Sequence, residues 1–254
     1  MLKKTNKLIE LVTKSTLYRQ FHTTVNNYDV TVRTWHPDPK KRSVGHSSME
    51  TSKFYISLWP GGNGAQSDGI LDIIMIAKET IKNGSTERRN IKVSTYEGAL
   101  IDTYEDDTVA NGIPDEKTRQ MIPKKATSEI ILRTLDEDKI NAEFEKIKTN
   151  QELKWTLIGD NKFFSKEGIH SCASLVSHLL KIGGIEKIIN EGSTKNLDKE
   201  EVNALDKFIH DNIVATPKNV EMVSKMAEKA EHINANKTIH EKDTERDTDN
   251  KFSI

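Results

Sequence analysis

The stretch Ser171-Cys172-Ala173-Ser174-Leu175-Val176-Ser177-His178-Leu179-Leu180-Lys181-Ile182-Gly183-Gly184 decides how the chain is read. Leu175, Val176, Leu179 and Leu180 recur at helical spacing. They predict a helix from about 172 to 181 that buries this stripe and stops at Gly183-Gly184. Cys172 then stands at the helix N-terminus, where unpaired backbone N–H groups and the helix dipole favour an anion and lower a thiol pKa. That is where a thiolate nucleophile would be set. The competing reading is a buried structural cysteine, because residues 172, 175, 176 and 179 share one helical face. Cys172 is the single cysteine of 254 residues, so it has no disulfide partner in the chain and any thiolate zinc cluster lacks ligands.

A thiol nucleophile needs a base, and three histidines can be tested by position. His178 lies six residues on, about 240° round the helix from Cys172, and points elsewhere. His170 is only two residues away, whereas catalytic cysteine and histidine usually meet across a fold. His46 sits in Val44-Gly45-His46-Ser47-Ser48, on the first arm of a predicted hairpin. The arms span 44–50 and 54–59, with Thr51-Ser52-Lys53 as the connection and Pro60-Gly61-Gly62-Asn63-Gly64 as the stop. Such a strand can carry an imidazole to a helix terminus.

Outward from these blocks, the pattern predicts a helix within 1–20, a strand over 26–35 and a proline-punctuated loop over 35–41. Ser67 is a candidate cap for a helix closed by Asn83-Gly84. Residues 84–126 mix strand-like Ile91-Lys92-Val93 with acidic and proline-containing loop. A strand over 130–135 follows, then a helix capped by Asp136 with Ile140, Phe144 and Ile147 on one face, then a strand over 153–158. Helices are expected over 197–214 and from Pro217, and beyond Ile233 a polar tail that cannot offset the entropy of ordering.

Lys plus Arg is 38 against 39 for Asp plus Glu, a balance that gives no field to gather nucleic acid or an anionic membrane. With 35% hydrophobic and 30% charged residues, the core is modest. No apolar run approaches the roughly 20 residues of a membrane span. Lys7, Glu10 and Lys14 interrupt the opening segment, so no signal peptide is expected. Gly61-Gly62-Asn63-Gly64 lacks a following Gly-Lys-Ser/Thr and reads as a turn, and His36, Asp38 and His46 lack zinc-site spacing. Neither metal nor cofactor is expected.

Three blocks carry a resemblance: Gly45-His46-Ser47-Ser48-Met49-Glu50-Thr51, then Tyr55-Ile56-Ser57-Leu58-Trp59-Pro60, then Ser171-Cys172-Ala173-Ser174-Leu175-Val176 with Lys181-Ile182-Gly183-Gly184. Together they look like the circularly permuted papain-like fold, the broad grouping of NlpC/P60-related and lecithin:retinol-acyltransferase-like proteins. In that grouping the histidine strand precedes the cysteine helix. Tyr104-Glu105-Asp106-Asp107 and Leu135-Asp136-Glu137 fall at intermediate landmarks of a related bacterial subfamily, and the Thr216-Pro217 helix start is similar too. One departure is Ser171, where such proteins commonly carry asparagine, although serine can also cap a helix.

The resemblance implies an α+β fold with an antiparallel β-sheet packed against the cysteine-bearing helix, and extra C-terminal helices. It divides the chain into a helical extension over 1–26, a catalytic domain over 27–230 and a disordered tail over 231–254. The implied activity is a cysteine hydrolase, a peptidase or amidase, with Cys172 as nucleophile and His46 as base. Ser57, expected opposite His46, and Asp107, from the acidic loop, compete for the role of orienting the imidazole. Lipid or protein acyl transfer, or a catalytically inactive binding module, are the alternatives. The expected partner is a protein or peptide substrate, with a host protein among the candidates. The acidic run Glu241, Asp243, Glu245, Asp247 and Asp249, followed by Phe252 and Ile254, looks like C-terminal signals of type IV secreted effectors. The implied location is a host cell reached by that route, or the bacterial cytoplasm.

Overall fold

A computed structural model describes residues 29–38, 45–61, 96–115, 117–118, 120–150, 153–156, 169–192, 197–210 and 215–249. Its strands are β1 (Val30–Trp35), β2 (His46–Glu50), β3 (Tyr55–Pro60), β4 (Tyr96–Ile101), β5 (Ile113–Pro114), β6 (Met121–Ile122), β7 (Ser128–Leu132), β8 (Lys154–Trp155) and β9 (Ile169–His170). Its helices are α1 (Tyr104–Ala110), α2 (Glu137–Thr149), α3 (Cys172–Ile182), α4 (Ile185–Glu191), α5 (Lys199–His210) and α6 (Pro217–Asp249). The expectations for 1–20, for the Ser67 helix and for 91–93 lie outside the described residues.

The fold is α+β. Seven strands form one sheet in the order β7-β1-β2-β3-β4-β8-β9, while β5 and β6 make a separate short ribbon. The sheet is mixed rather than purely antiparallel, because β8 and β9 pair in parallel, Lys154 with Ile169 and Trp155 with His170. That direction has a consequence for the cysteine. β3 runs from the hairpin turn toward the end of the sheet where His46 begins β2. β4 is antiparallel to β3 and β8 to β4, so β9 runs the same way as β3. The chain therefore leaves β9 and enters α3 at the His46 end. An antiparallel β9 would deliver Cys172 to the opposite end of the sheet.

The pleat sorts residues onto two faces. Val30, Val32, Met49, Ile56, Leu58, Ile130 and Leu132 form the apolar face, all at most 3% exposed. α3 packs on it across β2 and β3, and α6 across β1 and β7. Leu175, Val176, Leu179 and Leu180 are buried there as the helical spacing requires. The other face carries Arg33, Trp35, His46, Ser48, Tyr55, Ser57 and Trp59, and α1 lies against it, with Tyr104 6.2 Å from Trp35 and Tyr55 bonded to Asp107. β1 is thus buried on both faces because α6 covers one and α1 lies against the other, where period-two alternation alone would have left one face to solvent.

The connections that fix the site are built from side chains. Thr51 closes the hairpin, its N–H donating to the Phe54 carbonyl at 2.8 Å and its hydroxyl accepting from the Phe54 N–H at 2.9 Å. α2 clamps this turn, with Ser52 N–H on Glu137 and the Thr51 hydroxyl on Asn141 at 2.8 Å. α2 begins as expected, capped by Asp136, which accepts from the Lys139 N–H. α3 ends at Gly183, where an added Cβ would lie 2.7 Å from Ile140. α6 departs from expectation. It continues past Ile233 through the segment read as a disordered tail, with no glycine or second proline to stop it before Asp249. It also holds the end of β7, where Glu231 accepts from the backbone N–H groups of Arg133 and Thr134 at 2.9 and 2.8 Å.

Candidate active site

His46 opens β2 directly after Gly45, whose φ of +84° suits glycine and whose absent Cβ would lie 2.7 Å from the Trp35 carbonyl. A side chain there would both strain the backbone and push β1 from β2. The imidazole is 3% exposed and stacks on the Trp59 ring, with centroids 4.4 Å apart and planes 25° apart. Its Nε2 faces two oxygens, Ser57 Oγ at 2.8 Å and Asp107 Oδ1 at 3.3 Å. A hydrogen on Nε2 serves both, which leaves Nδ1 for the thiol.

Cys172 begins α3 behind Ser171, and the helix start is closed by a reciprocal cap: Ser171 Oγ accepts from the Ser174 N–H while Ser174 Oγ accepts from the Ser171 N–H. Serine therefore fills the capping role at 171. The Cys172 thiol lies beside the His46 imidazole and the backbone N–H groups of Ser47 and Ala173, each of which favours its thiolate. Burial pushes its pKa up, but His46 and these donors more than offset that, and the thiol ends below its ordinary value. For His46 burial pulls the pKa down, and the adjoining Cys172 and Asp107 overcome it and carry the imidazole up to about 9. Each charged form thus favours the other, thiolate beside imidazolium.

Asp107 comes from a helix and not from the acidic loop expected to supply it. It lies on α1 and is fully buried. Thr103 caps this helix, and Glu105, Asp106 and Asp107 occupy its first turn. That acidic turn after a threonine is a helix-start signal present in the sequence, hidden by the surrounding polar tract. Tyr55 donates to Oδ2 at 2.6 Å and Trp59 Nε1 to Oδ1 at 2.9 Å, while Asn111 Nδ2 reaches Oδ1 at 3.3 Å. Burial raises the carboxyl pKa, and His46, Tyr55 and Trp59 outweigh it to hold Asp107 ionised, below its ordinary value.

Ser57 is also within reach of His46, though not by the route expected. The register pairs Met49 with Ile56 and Glu50 with Tyr55. Carried back along β2, it sets Trp59, not Ser57, across from His46. Ser57 reaches the imidazole diagonally, and its oxygen accepts from Trp59 Nε1 at 3.1 Å. Trp59 is half-buried rather than buried. Sequence reasoning missed Tyr55 and the indole N–H of Trp59, although Tyr55, Ser57 and Trp59 share one face of β3 by simple alternation. His178 turns away to Glu143 at 3.1 Å. His170 is buried, with its pKa pushed down to about 4 by burial and by His178. The four candidates Cys172, His46, Ser57 and Asp107 therefore meet in one place. A cavity lined by Arg33, Glu50, Tyr55, Asp102, Tyr104 and Glu105 opens beyond Tyr55 and includes neither Cys172 nor His46.

No family model, curated protein or solved structure matches the chain. Among the described residues no helix is long and apolar enough to cross a membrane, and no group of three potential ligands could hold a metal ion.

Proposed function

We propose that this chain is a cysteine-dependent acyl-transfer enzyme, a peptidase or amidase on a permuted papain-like scaffold. The observation that carries the reading is Cys172 beside His46 at a helix N-terminus, with Asp107 and Ser57 against the Nε2 side of the imidazole. The thiolate attacks a carbonyl carbon, and the N–H of Cys172 at the start of α3 donates to the developing oxyanion. The imidazolium then gives its proton to the departing amine as the carbon–nitrogen bond breaks, leaving a thioester on Cys172. Water loses a proton to His46, attacks the thioester and releases the acid and the thiol, which restores the pair. Asp107 keeps the proton-bearing nitrogen of His46 aimed at the protein so that the other faces sulfur.

Because Cys172 is the only thiol, its alkylation reports on the site without knowledge of the substrate. Iodoacetamide at neutral pH is expected to modify Cys172 faster than a free model thiol, and His46→Ala is expected to slow it by about tenfold or more, as loss of a pKa shift of one unit would. A wild-type rate no greater than the model thiol's, unchanged in His46→Ala, overturns the reading.

A further inference from the structure

We propose that Tyr55 is a positioning residue of this site, donating its phenol to one oxygen of Asp107 and thereby aiming the other oxygen at His46. The inference deepens the reading of Cys172 and His46 as the reacting pair and rests on it. Asp107 is fully buried on a helix of only seven residues, too short to hold its own geometry without tertiary partners. Its two oxygens have different partners. Oδ1 takes the Trp59 indole at 2.9 Å and lies 3.3 Å from His46 Nε2, while Oδ2 takes the Tyr55 phenol at 2.6 Å.

The phenol itself has a directed supply. Ser48 Oγ lies 2.9 Å from the Tyr55 oxygen, so the serine hydroxyl donates to the phenol and the phenol's hydrogen goes to Asp107. Burial and Asp107 both raise the Tyr55 pKa, so the phenol keeps its hydrogen wherever the carboxylate is ionised. Three strands, Tyr55's own β3 among them, and two helices converge on this relay. His46 and Glu50 come from β2, Arg33 from β1, Tyr104 from α1, and Cys172 from α3 stands beyond the imidazole. Arg33 is engaged by Glu129 at 2.7 Å and by Glu50, with its guanidinium 4.4 Å from the Tyr104 ring, so it supplies a fixed positive charge near Tyr55. Without the phenol, only Trp59 and Asn111 hold Oδ1 and the donor on Oδ2 is gone, so the carboxylate can turn about its Oδ1 end. The imidazolium then loses its best-aligned counter-charge, and the thiolate loses the imidazolium that holds it ionised.

The test is the rate of Cys172 alkylation by iodoacetamide across acid and alkaline pH on the full chain, for wild type, Tyr55→Phe, Asp107→Asn and the double variant. Wild type is expected to hold thiolate reactivity well into the acid range. Tyr55→Phe is expected to move the acid limb up by about one unit, roughly tenfold in rate on that limb. If Tyr55 acts through Asp107, the double variant falls no further than Asp107→Asn alone. A Tyr55→Phe profile that superimposes on wild type, or losses that multiply in the double variant, overturn the proposal. Should Tyr55→Phe not fold, Ser48→Ala reads the same limb: an upward shift supports the relay and an unmoved limb overturns it. A wild-type Cys172 that titrates as an ordinary thiol instead removes the reacting pair itself, and this inference falls with it.

Discussion

A proton that passes from one side chain to another inside the same protein is invisible to the solvent, and this shapes how stability should respond to pH at the level of single residues. His46 has a folded pKa raised from 6.5 to about 9, so its contribution is complete below pH 6.5 and is lost as pH rises through about 9. Cys172 is lowered from 9.0, so its contribution is complete above 9.0 and is lost as pH falls. Between pH 6.5 and 9 the two slopes oppose, because folding hands the thiol's proton to the imidazole and exchanges almost none with water. The urea midpoint of wild type should therefore be nearly flat across that window. Cys172→Ser removes the larger of the two charges that raise His46 and leaves Asp107 alone against burial. A midpoint that falls as pH climbs above 6.5 then shows that Asp107 outweighs burial, and one that climbs as pH approaches 6.5 from below shows that burial outweighs Asp107.

At the scale of elements, α3 carries the site, and its buried stripe is what seats it on the sheet. Leu175 lies one turn beyond Cys172 and is 1% exposed within the core. Leu175→Ala should cost about 2–5 kcal/mol in urea unfolding as a core truncation. A loss under about 1 kcal/mol would mean that the stripe does not seat the helix. This helix was legible in the sequence, as were α2 and the hairpin, because each has its own punctuation: Ser171 and Gly183, Asp136 and Asn150, Thr51 and Phe54. β4 and α1 were not. β4 is flanked by chain with little apolar period of its own, and its burial comes from lying between β3 and β8. Asp107 was illegible as a buried acid for the same reason, since its partners Tyr55 and Trp59 lie 52 and 48 residues away. Cys172 and His46 could be singled out because a helix start and a strand start are local signals. Ser57 was named for a register that the hairpin does not have: with Glu50 paired to Tyr55 across the turn, Trp59 falls opposite His46.

For the whole molecule, the long C-terminal helix is the brace that ties the two ends of the described chain together. α6 packs across β1 and β7, with Glu221 bonded to His36 near one end of the strand pair and Glu231 capping the backbone after β7 at the other. Glu231 is 5% exposed and also accepts the Thr134 hydroxyl at 2.6 Å. Glu231→Ala strands two half-buried backbone donors and should cost about 1–3 kcal/mol in urea unfolding, with Glu231→Gln recovering part of it. A cost within about 0.5 kcal/mol of wild type would show that the cap is dispensable to the brace.

The parallel entry of β9 has a further meaning for the life of the chain. Cys172 and His46 are 126 positions apart, by the subtraction 172 − 46, and bringing them together costs on the order of 4 kcal/mol of loop-closure entropy before any contact rewards it. His46 is made early in synthesis and Cys172 late, and among the described strands the one that delivers the sulfur pairs only with β8, itself docked on β4. A partly synthesised or partly folded chain therefore carries an ordinary thiol and an ordinary imidazole. If the pair reacts as proposed, the closing of the sheet is what arms it, and the completed topology acts as the safety catch.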